Sequence, residues 1–490
     1  MQVTASDIYG YYRPSECNLR IYLRHNGEAE APPSPYEEVM RRLGERHEKA
    51  HLATFPTFVD LSAGTRHERE QRTQEEVRRG SLVIYQAVLR ATAVLDGVRC
   101  EVVGYPDFLI HHSGGYAIRD SKLSRRITEN DHPEILRQLE LYGWLYEQTF
   151  GKPPLRLEVH GGIGDIVLIP YDAGGKVLAT AREILAIKQT QVEPYTPVGW
   201  TKCGDCGFYG RCWPRAEARR DVALVSGVDQ GLAIALRHKG VETVDGLLAG
   251  YSEASLAELQ RPWGRGSQRV GRRAGPILRM ARSMASGQEI LIQNPDIPDH
   301  PNYVIFDIEG LPPHLDELEK VYLWGLQVFG QRSGEFQAST ASFGVDGDRE
   351  GWEHFLANAK KILDEYGDLP FVHWHHYERT RLDMYMERFG DPGGVGARVR
   401  QNLLDLLPIT HRSIALPLPS YSLKVVEQYI GFRRKQEEYG GEWAMAKYIE
   451  ATETEDPQQR QQVMDQILVY NREDLESTWA VLKWLRAKAR

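Results

Sequence analysis

At 490 residues the chain is longer than one hydrophobic core usually supports, so two or three domains are expected. Hydrophobic residues at 41%, charged residues at 26% and a mean hydropathy of -0.47 describe a chain that folds, and exclude a disordered or collagen-like one. The formal net charge of -8 excludes a uniformly positive surface but not nucleic acid as partner, because nuclease metal sites are themselves built from carboxylates.

In chain order, residues 1 to about 215 read as an α/β domain. SPYEEVMRRLGERHEKAHL has helical spacing, and CEVVGYPDFLIHH and YAIRDSKL read as strands around a Ser-Gly-Gly turn. Asp107 follows Gly104-Tyr105-Pro106 on one strand, while Asp120 and Lys122, two apart on the next, share a face, so two carboxylates and an ammonium can converge. Such a set can hold Mg²⁺ or Mn²⁺ and orient water for phosphodiester hydrolysis. A lone acid and DxK hairpin is more often a solvated pair of strands, so the pattern needs further support.

Four motifs in order give that support. GYPD at 104 to 107 and DSK at 120 to 122 resemble the RecB-type branch of the PD-(D/E)xK nucleases, which have a restriction-endonuclease-like fold. GERH is similar to that family's helical motif, so the resemblance implies His47 as a metal ligand. QLELY is similar to the downstream helix motif, implying Gln138 and Tyr142 as substrate-positioning residues on one helical face.

Five cysteines are present, an odd number, and three crowd into TKCGDCGFYGRC with spacing C-x2-C-x5-C, which suits metal better than a disulfide framework. Cys17 is the expected fourth partner of Cys203, Cys206 and Cys212, and either zinc or a cluster satisfies the spacing. SECNLR with CGDCGFYGRC resembles the arrangement in AddB subunits and in the iron-sulfur CRISPR adaptation nucleases, which implies a structural [4Fe-4S] cluster. Cys100, on an apolar stretch, reads as a core thiol.

Residues 216 to 290 form a small helical connector. ALRHKGVETVDGLLAG turns at Gly240 and weakly resembles a helix-hairpin-helix module, and the basic run from Arg265 through Arg269, Arg272, Arg273, Arg279 and Arg282 reads equally as a phosphate track or a solvated helix face. IQNPDIPDHPNYV follows as a linker.

Residues 295 to 490 read as a second α/β domain. FDIEG puts Asp307 and Glu309 on one face of a buried strand, where paired acids are costly without a cation. In YNRED, Tyr470 and Asp474 lie one helical turn apart, so a phenol sits beside a third carboxylate. DIE, HHYE and YNRED in this order resemble the RNase H-like DEDD exonucleases of the tyrosine subtype. The resemblance implies two metals held by Asp307, Glu309, Glu378 and Asp474, clamping the attacking and leaving oxygens, with Tyr470 near the attacking water and 3′ to 5′ polarity. The family's middle motif ends in Asp, so Glu378 is a departure; Asp383 is the alternative, and Asp405 in LLDLLPI and PSYSLKVVEQYIGF read as framework.

Two metal-dependent nuclease sites on DNA, single-stranded or with free ends, are therefore expected, with RNA a second substrate class and a helicase a possible partner. A nucleic-acid-binding scaffold with one or both sites inactive is the competing class. No apolar run reaches bilayer length and MQVTASDIYGYY lacks a secretory layout, so the expected location is cytoplasmic, away from membranes.

Overall fold

Gly114 and Gly115 both adopt positive φ, 111° and 153°, conformations that a side chain resists, and so close a hairpin between Phe108–His112 and Gly115–Ser121. In the computed structural model, which describes residues 1–13, 15–264, 266–312, 319–343, 347–437 and 439–488, this hairpin is the centre of a six-stranded mixed sheet. Its order is Val59–Asp60, Val83–Tyr85, Phe108–His112, Gly115–Ser121, Arg156–His160 and Ile166–Ile169. Leu109, Ile118 and Leu157 share one core with Leu139 and Leu145 of the helix Pro133–Phe150.

The stretch expected as one strand from Cys100 to His112 is broken at Tyr105–Asp107. Val98–Gly104 pairs with Gln2–Thr4 and Leu89–Leu95 in a separate three-stranded sheet, and Pro106, which has no N–H to give a ladder, lies at the crossing between sheets.

The chain divides into two compact units, the first taking in Met1–Thr196 and Thr201–Arg211, the second Pro197–Trp200, Cys212–Pro312 and the C-terminal remainder. In the second unit the buried strand Asn302–Gly310 is the middle of five, ordered Gln337–Thr340, Val321–Gly330, Asn302–Gly310, Phe371–His373 and Leu403–Asp405. The pairings are antiparallel on its first side and parallel on the other. Val304, Phe306 and Ile308 pack on one face with Phe355 and Leu363, and Tyr303 and Ile305 pack on the other with Leu475 and Leu482 of the helix Pro457–Lys488. Strand alternation therefore turns Asp307 and Glu309 toward the long helix.

The connector belongs to this second core. Helices Gln230–His238 and Val244–Gly250 flank the turn at Gly240, whose φ is 79°, and Leu232, Leu236, Leu247 and Ile277 pack with Tyr303, Ile305, Val372 and Leu482. The basic run is not one helix face: Gln260–Trp263 and Gly266–Arg269 form a hairpin, and a helix begins only at Ala274. Arg261 is buried against Asp229 at 2.9 Å, Arg269 pairs with Glu258, and Arg273 with Asp229; Arg265 lies outside the described residues. Proline and glycine in PWG favour a turn over a helical turn, which is why the run folds back.

Candidate active sites

The long helix Pro457–Lys488 carries Tyr470, Asn471 and Asp474 on its buried side, facing the strand that carries Asp307 and Glu309. Asn471 Nδ2 donates to Asp307 Oδ2 at 2.6 Å. Gly325 is the cross-strand partner of Asp307, and a Cβ there would stand 1.9 Å from Asn471 Oδ1, so a side chain at 325 would drive the asparagine off the aspartate.

One ligand oxygen from each of Asp307, Glu309 and Asp474 lies within 4.8 Å of the others, and among the described residues this is the single group of three or more carboxylate, imidazole or thiol ligands so close together. Burial raises the affinity of all three for protons. At Asp307 and Glu309 the Asp474 charge raises it further, whereas at Asp474 the cations Arg434 and Lys424 oppose the rise. Three acids that repel in a desolvated pocket are the donor set a divalent cation stabilises, so the residues present fit such an ion. Burial, then the same carboxylates, holds Tyr470 well above the ordinary phenol value, so it stays a proton donor at working pH.

Glu378 opens the helix Tyr377–Phe389 and is 4% exposed, with His373 Nδ1 at 3.3 Å. Its charge is felt at Asp307 and Glu309, but it is not in the three-acid group. Burial lowers His373, and the Glu378 carboxylate more than offsets this, leaving the imidazole above its ordinary value. Asp383, the alternative, pairs with Arg400 on the surface. Asp405 caps the helix Leu406–Ser413 and accepts from the N–H of His375 at 2.9 Å, which holds His375 at a left-handed φ of 83° beside the site.

Three residues here were not singled out in the sequence. Asn471 sits inside YNRED. Lys424 lies in PSYSLKVVEQYIGF, its ammonium 5.4 Å from the Tyr470 ring centroid. Arg434 follows that segment and pairs with both Glu427 and Asp474.

In the first unit, Asp120 lies on Gly115–Ser121, Lys122 directly after it, and Asp107 directly before Phe108–His112 rather than on a strand. Lys122 pairs with Asp120, and the Ser121 N–H donates to Asp107 Oδ2 at 2.8 Å. Burial, then Asp120, pushes the Asp107 carboxyl up, with Lys122 opposing. Burial lowers Lys122, but Asp120 and Asp107 outweigh it, so the ammonium stays charged. Tyr142 is buried, and burial followed by the charges of Asp120 and Asp107 raises its phenol. Gln138 Nε2 donates to its hydroxyl at 2.8 Å. Gly104 leaves room for that ring, since a Cβ would come within 2.6 Å of it.

His47, which the resemblance implies as a metal ligand, packs beside the Lys122 backbone through His160, whose carbonyl oxygen accepts from the Lys122 N–H at 3.0 Å. Its ring stacks on His160 at 4.6 Å, with His51 stacked on the other histidine at 3.8 Å, and its Nε2 is 3.4 Å from the His160 carbonyl oxygen. The next residue, Glu48, is the helix carboxylate that reaches the site: Gln86 Nε2 donates both to Glu48, at 2.7 Å, and to Asp107, at 3.1 Å, and Tyr85 donates to Glu48 at 2.7 Å.

Cys17 caps the helix Asn18–His25 with its sulfur, and Cys203 and Cys206 share a turn closed by a 3.0 Å backbone bond. Lys202, its ammonium lowered by burial, feels Cys17, Cys203 and Cys206 together, so these three share one surrounding in the first unit. Among the described residues no three cysteine sulfurs approach closely enough to share a single ion. Cys100 is buried on its strand, as a core thiol.

A model of the RNase_H superfamily matches residues 304–486, the span from the strand of Asp307 to the helix of Asp474. The C-terminal part of the protein is therefore an RNase H-like domain, which points to a nuclease. A solved structure titled "Crystal structure of SSO0001" is similar to 43% of this chain and 85% of its own, at 14% identity and a TM-score of 0.23, too low to carry an argument. No curated protein matches. Among the described residues no helix is long and apolar enough to cross a membrane.

Proposed function

We propose that the protein is a divalent-metal-dependent DNA exonuclease whose C-terminal site hydrolyses phosphodiesters, with a second, RecB-type nuclease site in the N-terminal unit. The observation that carries the reading is the meeting of Asp307, Glu309 and Asp474, drawn from both ends of the RNase H-like span, on one buried face. A bound Mg²⁺ or Mn²⁺ would supply Lewis-acid stabilisation of charge on the phosphoryl oxygens. Asp307, Glu309 and Asp474 would hold it, Asn471 fixes the Asp307 carboxylate, and Tyr470, a phenol beside Asp474, would position the attacking water. Glu378, paired with His373, would be the fourth acid that the resemblance implies as a metal ligand. The resemblance gives 3′ to 5′ polarity as the direction to test.

In the N-terminal site Asp107 and Asp120 would hold metal, Glu48 would support Asp107 through Gln86, and Lys122 would offset charge on the scissile phosphate. Gln138 and Tyr142 would position substrate. The cysteines of the C-x2-C-x5-C run and Cys17 are read as a [4Fe-4S] staple, supported by the shared surroundings of Cys17, Cys203 and Cys206. Iron and acid-labile sulfide analysis of protein purified without oxygen tests this, and absence of both removes the cluster.

The test of function is cleavage of end-labelled single- and double-stranded DNA, and of matched RNA, by the wild type and by Lys122→Ala and Asp307→Ala, with Mn²⁺ or with EDTA. Metal-dependent cleavage lost separately in each variant supports two sites. Cleavage of RNA in preference to DNA changes the substrate, and no cleavage of any strand under any condition replaces the reading with a binding scaffold.

A further inference from the structure

The hairpin that takes the place of the expected basic helix face carries the most exposed of the chain's ten tryptophans, Trp263, at 58%. The ribbon that presents this indole to water is held firmly. The Val270 N–H closes its base on the Leu259 carbonyl at 3.1 Å. Arg261, buried at 2% exposure, reaches Asp229 at 2.9 Å and donates to Gln268 of the opposite strand at 2.9 Å. Gly231, in the first turn of the helix Gln230–His238, lets the Pro262 carbonyl approach so closely that a Cβ at 231 would stand 2.3 Å from its oxygen.

Strand alternation puts Arg261 and Trp263 on one face, and the guanidinium carbon lies 4.3 Å from the indole centroid, a cation–π contact that fixes the ring from one side. Across the ladder the partner of Trp263 is Gly266, where a Cβ would find no atom nearer than 3.9 Å. A glycine opposite a tryptophan leaves open the place where a cross-strand side chain would pack on the ring. The charge nearby is of one sign. From residue 259 to 288 the chain has seven arginines and no acid, within a protein of net charge -8. Asp229 and Glu258 are taken by Arg261, Arg273 and Arg269, whereas Arg272 is exposed and has no ion pair among the described residues.

We infer that the Trp263 hairpin is a stacking platform for single-stranded DNA, which lays one unpaired base on the indole while the arginines around it, Arg272 among them, draw its phosphates. An aromatic face offers the same contact to every base, so the hairpin grips a strand without reading its sequence. The bases inside a duplex already stack on each other and have no free face for the ring. An arginine-rich surround without free acid favours a polyanion over an apolar protein partner. The choice of DNA rests on the nuclease reading above, and the hairpin adds to it a hold on the strand that uses none of the acids of either site.

The platform is tested by the anisotropy of a fluorescein-labelled oligothymidylate on the full chain, in EDTA so that neither site cleaves it. Trp263→Leu keeps an apolar cover over Arg261 and removes the aromatic face. It should weaken binding by roughly tenfold, the order of one lost base stack, while Trp263→Phe should keep most of the affinity. Arg272→Gln should reduce the slope of log affinity against log salt by about 0.7, one phosphate contact on a single strand. A long blunt duplex should bind the wild type and Trp263→Leu equally. In the wild type, irradiating an oligothymidylate that carries 5-iodouracil should place the crosslink on the peptide holding Trp263, a readout that depends on no variant folding. Single-strand affinity unchanged in a folded Trp263→Leu, or lost as fully in Trp263→Phe, would overturn the platform, and so would crosslinks on other peptides only; the indole would then be a cover for Arg261 or a contact for a protein. Cleavage is read separately with Mn²⁺. A protein that binds through Trp263 and cuts nothing removes the nuclease reading alone, and one that cuts while Trp263→Leu binds like wild type removes the platform alone.

Discussion

Asp307 shows how much of the site rests on one hydrogen bond. The strand aims the carboxylate, but the 2.6 Å bond from Asn471 selects its rotamer. Asn471→Ala should therefore weaken Mn²⁺ binding at this site or the associated activity by roughly 10–100-fold, the range found when an outer partner of a metal ligand is removed. An unchanged Mn²⁺ titration would mean that the strand alone positions Asp307. Asp307 and Glu309 were legible in the sequence because period two puts them on one face of an apolar strand, where two acids without a cation make no physical sense. Asn471 was not, although it lies within YNRED, because its role exists only once the helix has packed on the strand. Arg434 and Lys424 are harder still, since a basic residue in a chain reads as solvated until its buried partners are known.

Glu134 gives a residue-scale prediction with a pH sign. It is 1% exposed in the first turn of the helix Pro133–Phe150, and although burial alone would raise it, His132 at 2.8 Å and Arg13 at 2.7 Å hold it below its ordinary value. An acid whose folded value is depressed contributes stability that is fully present above the unfolded value, near 4.5, and is lost as pH falls through the folded one. Glu134→Gln should cost about 1–3 kcal/mol at pH 7, the worth of hydrogen bonds to a charged group, and should flatten the fall of the urea midpoint below pH 4.5. Parallel pH profiles for the two proteins would show that another group carries the acid sensitivity.

At the scale of elements, the joints between strand and helix rest on two glycines. Gly325→Ala and Gly104→Ala each insert a methyl into an occupied space, the first against Asn471 and the second against the Tyr142 ring. Each should lower stability by about 1–3 kcal/mol, the usual cost of overpacking, read as a drop in thermal midpoint. The two should differ in what else they change, because Gly325→Ala disturbs the Asp307 carboxylate and so should also weaken Mn²⁺ binding there, whereas Gly104→Ala should leave that site alone. Equal Mn²⁺ affinity in wild type and Gly325→Ala would show that Asn471 can move aside. Periodicity made the main elements legible, including the hairpin at Gly114–Gly115 and the strand Asn302–Gly310. It missed the break at Pro106, because an apolar run through a proline reads as continuous until two sheets compete for its halves. It also made a helix face of a basic run whose Pro-Trp-Gly folds back into a hairpin.

At the scale of the whole molecule, sequence composition drew a boundary near Asn294, where proline and aspartate collect, but packing in the second unit runs straight through it. Leu232, Leu236, Leu247 and Ile277 from the helical stretch lie in one core with Tyr303, Ile305, Val372, Leu475 and Leu482, and Ile290–Leu291 pairs as a strand with Ile414–Ala415. The side of the strand Asn302–Gly310 opposite Phe355 and Leu363 is thus covered in part by residues that come before the linker. A fragment of residues 295–490, which contains the whole RNase_H match, should therefore expose an apolar face, bind a hydrophobic dye and melt without cooperativity. A fragment of residues 197–490 should melt in one sharp transition, because it keeps the segments that fill that core. Cooperative melting of the shorter fragment at the midpoint of the longer one would show that the helical stretch is an appendage. The opposite result would mean that the nuclease fold of the second unit begins about a hundred residues earlier than its matched motifs, and that the helices before the linker are structural members of that domain rather than a tether to it.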